Sequence, residues 1–245
     1  MHAIILAAGQ GSRLLPLTAD RPKCLLEFNG RSLLDWQLDM LAKNGVDEVL
    51  VVTGFRDDQI QSALARRSAK VGDQPIVTTL YNPFYKVADN LGTMWIARDW
   101  LDGDVLTLNG DTLVSDALVA RVIGAGIDGI AVTVDRKDAY DADDMKVVRA
   151  NDGRLLAIGK RLEEGVNAES IGFIAYRGDG AQRFRREVER VMRTPEGTNV
   201  WYLKVVHALA QRERIETLNI SGEEWGEVDF PEDVERARML TAGWV

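Results

Sequence analysis

Four charged side chains and two glycines in this chain have the types and spacing of a phosphate-handling site. Gly9 and Gly11 follow the apolar run from Ala3 to Ala8; Arg13 comes two residues later, and Lys23 follows Arg21-Pro22. Glycine lets a backbone approach a ligand with no Cβ in the way. Successive N–H groups in such a loop form a concavity for anions. With two cations behind it, the loop reads as a clamp for a polyphosphate, walled by Leu6, Ala7, Ala8, Gly9, Gly11, Ser12, Arg13 and Lys23. Two aspartates end short runs elsewhere: Asp111 after Asn109-Gly110, and Asp229 after Trp225-Gly226-Glu227-Val228. Carboxylates are hard oxygen ligands suited to Mg²⁺, which in phosphoryl chemistry is held by one or two of them plus substrate phosphates. Taken singly, each aspartate also reads as a turn or helix-cap residue.

Two familiar phosphate loops do not fit. The dinucleotide fingerprint needs a third glycine where this chain has Leu14, and the Walker loop needs Gly-Lys-Ser/Thr, whereas Lys23 is followed by Cys24.

The elements that would position these residues alternate. After the first strand, Ser32 caps a helix to about Lys43, closed by Asn44-Gly45. Strands are expected over 49–53, 76–81, 104–108 and 129–134, with helices over 57–67, from Asp89 or Asn90 to about 99, and over 115–123. This pattern predicts an α/β three-layer sandwich with a mostly parallel central sheet. Ligands in such sheets lie outside the carboxyl ends of the strands, where Gly9 and Asp111 both fall. The second half has shorter strands (145–148, 155–159, 171–176, 215–218 and 225–228), a hairpin turn at Asn151-Asp152-Gly153, and helices over 181–192, 199–210 and from Pro231 to about 240. We expect one domain over residues 1–245, with a nucleotide-binding half (1–135) and an acceptor-binding half (136–245). The arginines between Arg183 and Arg193 oppose a stripe of Phe184, Val188 and Val191, and so read as a solvated face.

The 30 basic and 38 acidic residues give a net charge of −8, which disfavours nucleic acid as a partner. A single cysteine, Cys24, excludes an internal disulfide and a multi-cysteine metal site; it reads as a small buried apolar residue. No run approaches the ~20 apolar residues of a spanning helix, and the apolar start lacks a basic n-region. The expectation is a soluble cytoplasmic protein with no membrane partner. The two histidines, His2 and His207, read as structural.

The stretch Leu6–Lys23 (Leu-Ala-Ala-Gly-x-Gly-x-Arg, then Pro16-x-Thr18, then Pro22-Lys23) resembles the signature of nucleotidyltransferases that make activated sugars and alcohols. The resemblance extends, more thinly, over almost the whole chain. It implies that Arg13, Lys23, Asp111 and Asp229 carry catalysis, with Asp111 and Asp229 as Mg²⁺ ligands. The late stretch Glu227-Val228-Asp229, with Glu232-Asp233, is similar to the family motif that supplies the second metal ligand. Asn82-Pro83 and Asp89-Asn90-Leu91-Gly92-Thr93 resemble the segment that reads the base and flanks the acceptor, which places Asn82 and Asn90 at the nucleotide. Lys160 matches a lysine that binds the acceptor phosphate, and Lys146 is a weaker candidate of the same kind.

Asn82-Pro83 is similar to cytidylyltransferases for choline phosphate and aminoalkyl phosphonates, whereas Asp89-Asn90 departs from their paired asparagines. The expectation is therefore CTP plus a small phosphorylated alcohol or phosphonate, with pyrophosphate released. The alternatives are a sugar-1-phosphate nucleotidyltransferase using UTP, dTTP or GTP, and an inactive nucleotide-binding regulatory domain. No nucleophile from the protein is needed, because an acceptor phosphate is already anionic near neutral pH. A cationic acceptor would want aromatic faces and carboxylates. Tyr140 beside Asp141, Asp143 and Asp144, and Trp201-Tyr202, are the candidates, although Trp201 and Tyr202 also fit a core stripe with Val205. A homodimer is compatible with all of this.

Overall fold

The fold comes from a computed structural model that describes residues 1–71 and 75–244. A nine-stranded sheet carries helices on both faces. Its strands are β1 (His2–Leu6), β4 (Glu48–Thr53), β5 (Ile76–Tyr81), β6 (Val105–Asn109), β8 (Gly129–Asp135), β9 (Lys146–Arg149), β10 (Leu155–Ile158), β11 (Ala168–Arg177) and β12 (Glu216–Asn219). Two short ladders stand apart from it, β2 (Glu27–Phe28) with β3 (Arg31–Ser32) and β7 (Thr112–Val114) with β13 (Trp225–Glu227). Of these four strands only β13 is foreseen in the sequence, within the strand expected over 225–228.

The main path runs β5-β4-β1-β6-β11-β8-β12, and every pair on it is parallel except the two made by β11. β11 is long enough to pair with β6 near its carboxyl end and with the β9–β10 hairpin near its start. Side chains alternate across the sheet. Ala3 and Ile5 join the core under α1 (Leu33–Lys43), α2 (Asp57–Val71), α4 (Asp116–Gly124) and α7 (Pro231–Ala242), while Ile4 joins the core under α3 (Asn90–Ile96), α5 (Gly180–Met192) and α6 (Tyr202–Ala210). The expected three layers are therefore present.

Boundaries moved where local chemistry decided them. Ser32 caps α1 as expected, its Oγ accepting the Asp35 N–H at 3.0 Å. The helix expected to run to residue 99 stops at Ile96, and a separate 3₁₀ turn covers Arg98–Trp100. The helix expected from residue 199 starts at Tyr202, with Trp201 as its N-cap. The strand expected over 225–228 pairs with β7, outside the main sheet. The two halves expected to meet at residue 135 interlock: β8 belongs to the first by sequence, yet among the described residues it pairs only with β11 and β12.

Residues set aside as structural behave so. His2 Nε2 lies 2.7 Å from the Trp100 carbonyl, and His207 Nδ1 accepts the Ile158 N–H at 3.2 Å. Burial pushes the Cys24 thiol up to about 12, which leaves it inert near neutral pH. Arg183, Arg185 and Arg190 on α5 are engaged by Asp179 and Glu213, by Asp99, and by the buried Glu187, respectively. Among the described residues no helix is long and apolar enough to cross a membrane.

Candidate active site

The site lies where β1 and β6 end side by side. Leu6 pairs with Asn109, and the Gly110 N–H then donates to the Leu6 carbonyl at 3.0 Å. A Cβ at Gly110 would lie 2.6 Å from that carbonyl oxygen, so only glycine allows the crossing. The loop after β1 is held by Ala8, whose carbonyl accepts the Phe55 N–H at 2.9 Å, and by Thr18, whose hydroxyl donates to the Gly11 carbonyl at 2.8 Å. Gly11 sits at φ 74°, and the stem of Lys23 packs where its Cβ would be, 3.0 Å away. Both conditions favour glycine.

The β7–β13 ladder brings in the second aspartate. Glu227 pairs with Thr112, and the Val228 N–H donates to the Asp111 carbonyl at 3.0 Å. Asp233, three residues into α7, accepts the N–H groups of Asp229 and Phe230 at 2.9 and 2.8 Å, so the cap of α7 also fixes the Asp229 backbone.

Lys23 Nζ then stands between two carboxylates, 2.6 Å from Asp111 Oδ2 and 2.6 Å from Asp229 Oδ1. Arg13 Nη2 donates to the other oxygen of Asp229 at 2.7 Å, and its guanidinium lies 4.9 Å over the Phe230 ring. Burial works against the charge on Lys23, but Asp111 and Asp229 outweigh it and hold the ammonium above its ordinary range. Burial likewise pushes Asp229 up, and Lys23 and Arg13 outweigh it, so Asp229 stays ionised. Glu227 makes no side-chain hydrogen bond among the described residues. Crowding by protein, and after it the charges of Asp111 and Asp229, push it up to about 8.

Around this centre a 430 Å³ cleft is lined by Leu6, Ala7, Ala8, Gly9, Gly11, Ser12, Arg13, Lys23 and Cys24, by Tyr85, Ala88, Asp89, Asn90 and Thr93, and by Asn109, Gly110, Asp111 and Asp229. Asn90 Oδ1 accepts the Tyr202 N–H at 2.9 Å, and the Tyr202 hydroxyl donates to Asn109 Oδ1 at 3.0 Å. Asn82, expected at the nucleotide, is fully buried instead. Its Nδ2 donates to Thr93 Oγ1 at 3.1 Å and its Oδ1 accepts the Phe84 N–H at 2.9 Å. That side-chain turn braces the cleft wall from behind.

An 850 Å³ cavity opens on the other side of Asp229. Its walls include Asp141, Asp143, Asp144, Glu169 and Glu227, against Lys137 and Arg236 as the basic residues. Lys160 lies toward this side, 3.7 Å from Asp143 and 4.8 Å over the Trp201 ring. Trp201 is 40% exposed while Tyr202 is fully buried, so the expected core stripe includes Tyr202 but not Trp201. Lys146 donates to the Lys160 carbonyl at 3.0 Å, behind the candidate rather than beside it. Tyr140 faces Lys137, whose Nζ is 5.9 Å from the ring. Neither Tyr140 nor Trp201 is a wall of the two cavities, and each ring already carries a lysine. A further groove of 620 Å³ between α1 and α2 is remote from this chemistry, and its Arg31 and Arg67 are tied to Asp35 and Asp39.

The donor set suits a hard divalent cation completed by its substrate. Two carboxylates converge on one ammonium, and among the described residues no group of three or more His, Cys, Asp or Glu is arranged to hold a metal. Such a pair fits Mg²⁺ bound together with phosphate oxygens. Sequence reasoning passed over Asn109 and Tyr85 as walls of the cleft, and placed Tyr202 at the acceptor when it braces Asn90 and Asn109 from behind; only the Pro-Glu-Asp start of α7 advertised the role of Asp233.

A family model for the MobA-like NTP transferase domain matches residues 3–140. A CTP:phosphoglutamine cytidylyltransferase of Campylobacter jejuni is 25% identical over 96% of this chain and 98% of its own length. The CTP:phosphocholine cytidylyltransferase of Streptococcus pneumoniae superposes with a TM-score of 0.76 at 18% identity, covering 97% of each chain. A UDP-glucose pyrophosphorylase from Acinetobacter baumanii does so with a TM-score of 0.75 at 14% identity, over 98% of this chain and 92% of its own. The two superpositions show a shared fold and do not separate one acceptor from another.

Proposed function

This chain belongs to the MobA-like NTP transferase family, and from that premise we propose that it transfers a cytidylyl group from CTP to a small phosphorylated acceptor bearing an ammonium group. The acceptor would be of the phosphocholine or 2-aminoethylphosphonate type, with Mg²⁺ as cofactor and pyrophosphate as product. The observation that carries the reading is Lys23 held between Asp111 and Asp229 at the mouth of the parallel strands, with Arg13 on Asp229.

An oxygen of the acceptor phosphate attacks the α-phosphorus of the nucleotide. The bond from that phosphorus to the bridging oxygen breaks, and pyrophosphate leaves with the electron pair. The attacking oxygen is already anionic, so no base is required. Both histidines are engaged in the fold. Lys23 and Arg13 balance the charge that develops on the α-phosphoryl group and the departing pyrophosphate, and the glycine loop orients the triphosphate. Mg²⁺ held by Asp111 and Asp229 would supply further charge neutralisation on the phosphates.

The acid-walled cavity beside Asp229 supports the cationic acceptor. Asp141 and Asp143 on its wall attract an ammonium group and offer a neutral hexose no charge pairing, whereas Glu227 and Glu169, pushed up to about 8 and about 7, add little charge near neutral pH. Lys160 would exchange the Trp201 face for the acceptor phosphate, which opens that ring to the ammonium tail.

Pyrophosphate release with each NTP, with and without Mg²⁺, against phosphocholine, 2-aminoethylphosphonate and glucose-1-phosphate tests this. Turnover is expected only with Mg²⁺, fastest with CTP and an ammonium-bearing acceptor. Truncating Trp201 to Ala is expected to raise KM for the acceptor more than for CTP. Preference for a hexose-1-phosphate would overturn the acceptor assignment, and metal-independent turnover the cofactor assignment.

A further inference from the structure

One polar side chain in the core beside the site is not explained by packing. Gln37 is fully buried on the face of α1 that packs Leu34, Leu38 and Leu41. Its Nε2 donates twice, to the Asn109 carbonyl at 2.7 Å and to the Thr112 carbonyl at 2.8 Å. Its Oε1 is buried with no partner among the described residues. Burying an amide oxygen unpaired is a cost that leucine or methionine would avoid. The two donated bonds are what such a residue could not supply.

The two carbonyls bracket the turn that carries Asp111. Asn109 ends β6, Thr112 begins β7, and only Gly110 and Asp111 lie between them. The rest of that turn is held from other sides, the Gly110 N–H by the Leu6 carbonyl and the Asp111 carbonyl by the Val228 N–H. Gln37 closes both ends with a single nitrogen, which carries two N–H donors, one for each carbonyl.

We infer that Gln37 is a positioning residue: without touching the Asp111 carboxylate it sets its aim, and with it the grip of the site on a divalent cation. This rests on the reading of Asp111 as a metal ligand. Helix α1 also reaches the clamp. The Leu33 N–H at its start donates to the Leu26 carbonyl at 2.9 Å, and the Leu26 N–H donates to the Lys23 carbonyl at 3.0 Å. One helix thereby holds the backbone on both sides of the Lys23–Asp111 ion pair, and Gln37 is its link to the Asp111 side.

Two apolar replacements, Gln37→Met and Gln37→Leu, delete the donors and keep a side chain of a kind that α1 already packs on this face. Leu41→Val, on the same helix, controls for general loosening, and circular dichroism checks folding. Calorimetry measures CTP binding with Mg²⁺ and in EDTA, with no acceptor and so no turnover. Mg²⁺ is expected to tighten CTP binding in the wild type and in Leu41→Val. Both Gln37 variants are expected to lose roughly 10-fold of that tightening, the scale on which partners that orient a metal ligand act. Their CTP affinity in EDTA is expected to stay near wild type. In metal-free protein, hydrogen–deuterium exchange in the peptide spanning residues 109–114 is expected to quicken in the Gln37 variants alone.

An undiminished effect of Mg²⁺ in both folded Gln37 variants overturns the inference. So does an equal loss with Mg²⁺ and in EDTA, which would make Gln37 a general support of the cleft, and so does unchanged exchange over 109–114. A wild type whose CTP affinity does not respond to Mg²⁺ overturns the metal reading itself and this inference with it, before any variant is made.

Discussion

The Val228 N–H donates to the Asp111 carbonyl at 3.0 Å, and this backbone bond extends the β7–β13 ladder by one step to set Asp229 beside Asp111. Neither carboxylate is placed by its own side chain. Each inherits its position from a backbone pairing, which holds the two carboxylates on either side of the Lys23 ammonium.

Asp111→Asn and Asp229→Asn are therefore expected to fold normally and to lose turnover by about 100-fold or more, the usual scale for removing a key electrostatic element. Steady-state kinetics in saturating Mg²⁺ beside a thermal melt would check both halves of the statement. Near wild-type turnover in both variants would rule out the metal assignment.

Lys23→Met removes the cation that Asp111 and Asp229 share. Leaving a buried pair unbalanced costs about 3–5 kcal/mol. Here the aspartates keep 20–24% of their side-chain surface, so roughly half of that is expected, read as a lower urea midpoint in metal-free buffer. Arg13→Lys should leave stability intact and still lower turnover, since a planar fork is replaced by a point charge.

Tyr202→Phe tests the strut between Asn90 and Asn109. The hydroxyl is fully buried and donates to Asn109 Oδ1. Deleting it leaves that oxygen short of a donor, at a cost of about 1–2 kcal/mol. Urea unfolding would measure it, and a neutral outcome would mean that another donor reaches Asn109.

Glu169 gives the fold a pH dependence of its own. Burial raises its carboxyl, Lys137 pulls it back and Asp144 pushes it up again, leaving it at about 7, against ~4.3 for an unfolded glutamate. Between those values the folded chain binds more protons than the unfolded one, so stability is fullest at the acid end and declines as pH rises through about 7. Urea midpoints at pH 5.5 and 8 should fall for the wild type, and the drop should be smaller in Glu169→Gln. Equal drops in both would remove Glu169 as the cause.

The convergence of Gly11, Arg13 and Lys23 was readable because they are close in sequence and belong to one loop, and Asp111 ends an obvious strand. The meeting of Asp111 with Asp229 was expected from the family resemblance alone, because three-residue strands carry no periodicity. The antiparallel sense of β11 was hidden for another reason. Nine of its ten residues are buried, and a strand covered on both faces shows the same unbroken pattern whichever way it runs. Trp201 was ambiguous because the start of α6 decides its environment: as N-cap its ring leaves the apolar stripe that begins at Tyr202. The misplacement of Asn82 has a similar origin, since an amide that braces a turn and one that meets a ligand look alike in a sequence.

The lodging of β11 between β6 and β8 has a consequence for how the chain is made. On the ribosome β8 emerges well before β11 and has no edge to join until β11 has been completed. The family match ends at residue 140, yet a nascent chain of that length holds a sheet cut at β6 and an unpaired apolar strand beyond it. Such strands invite pairing with other chains, and closing contacts so distant in sequence is slow. Folding is therefore expected to finish after translation has passed β11, and the stretch in between is where the newborn chain most needs a chaperone.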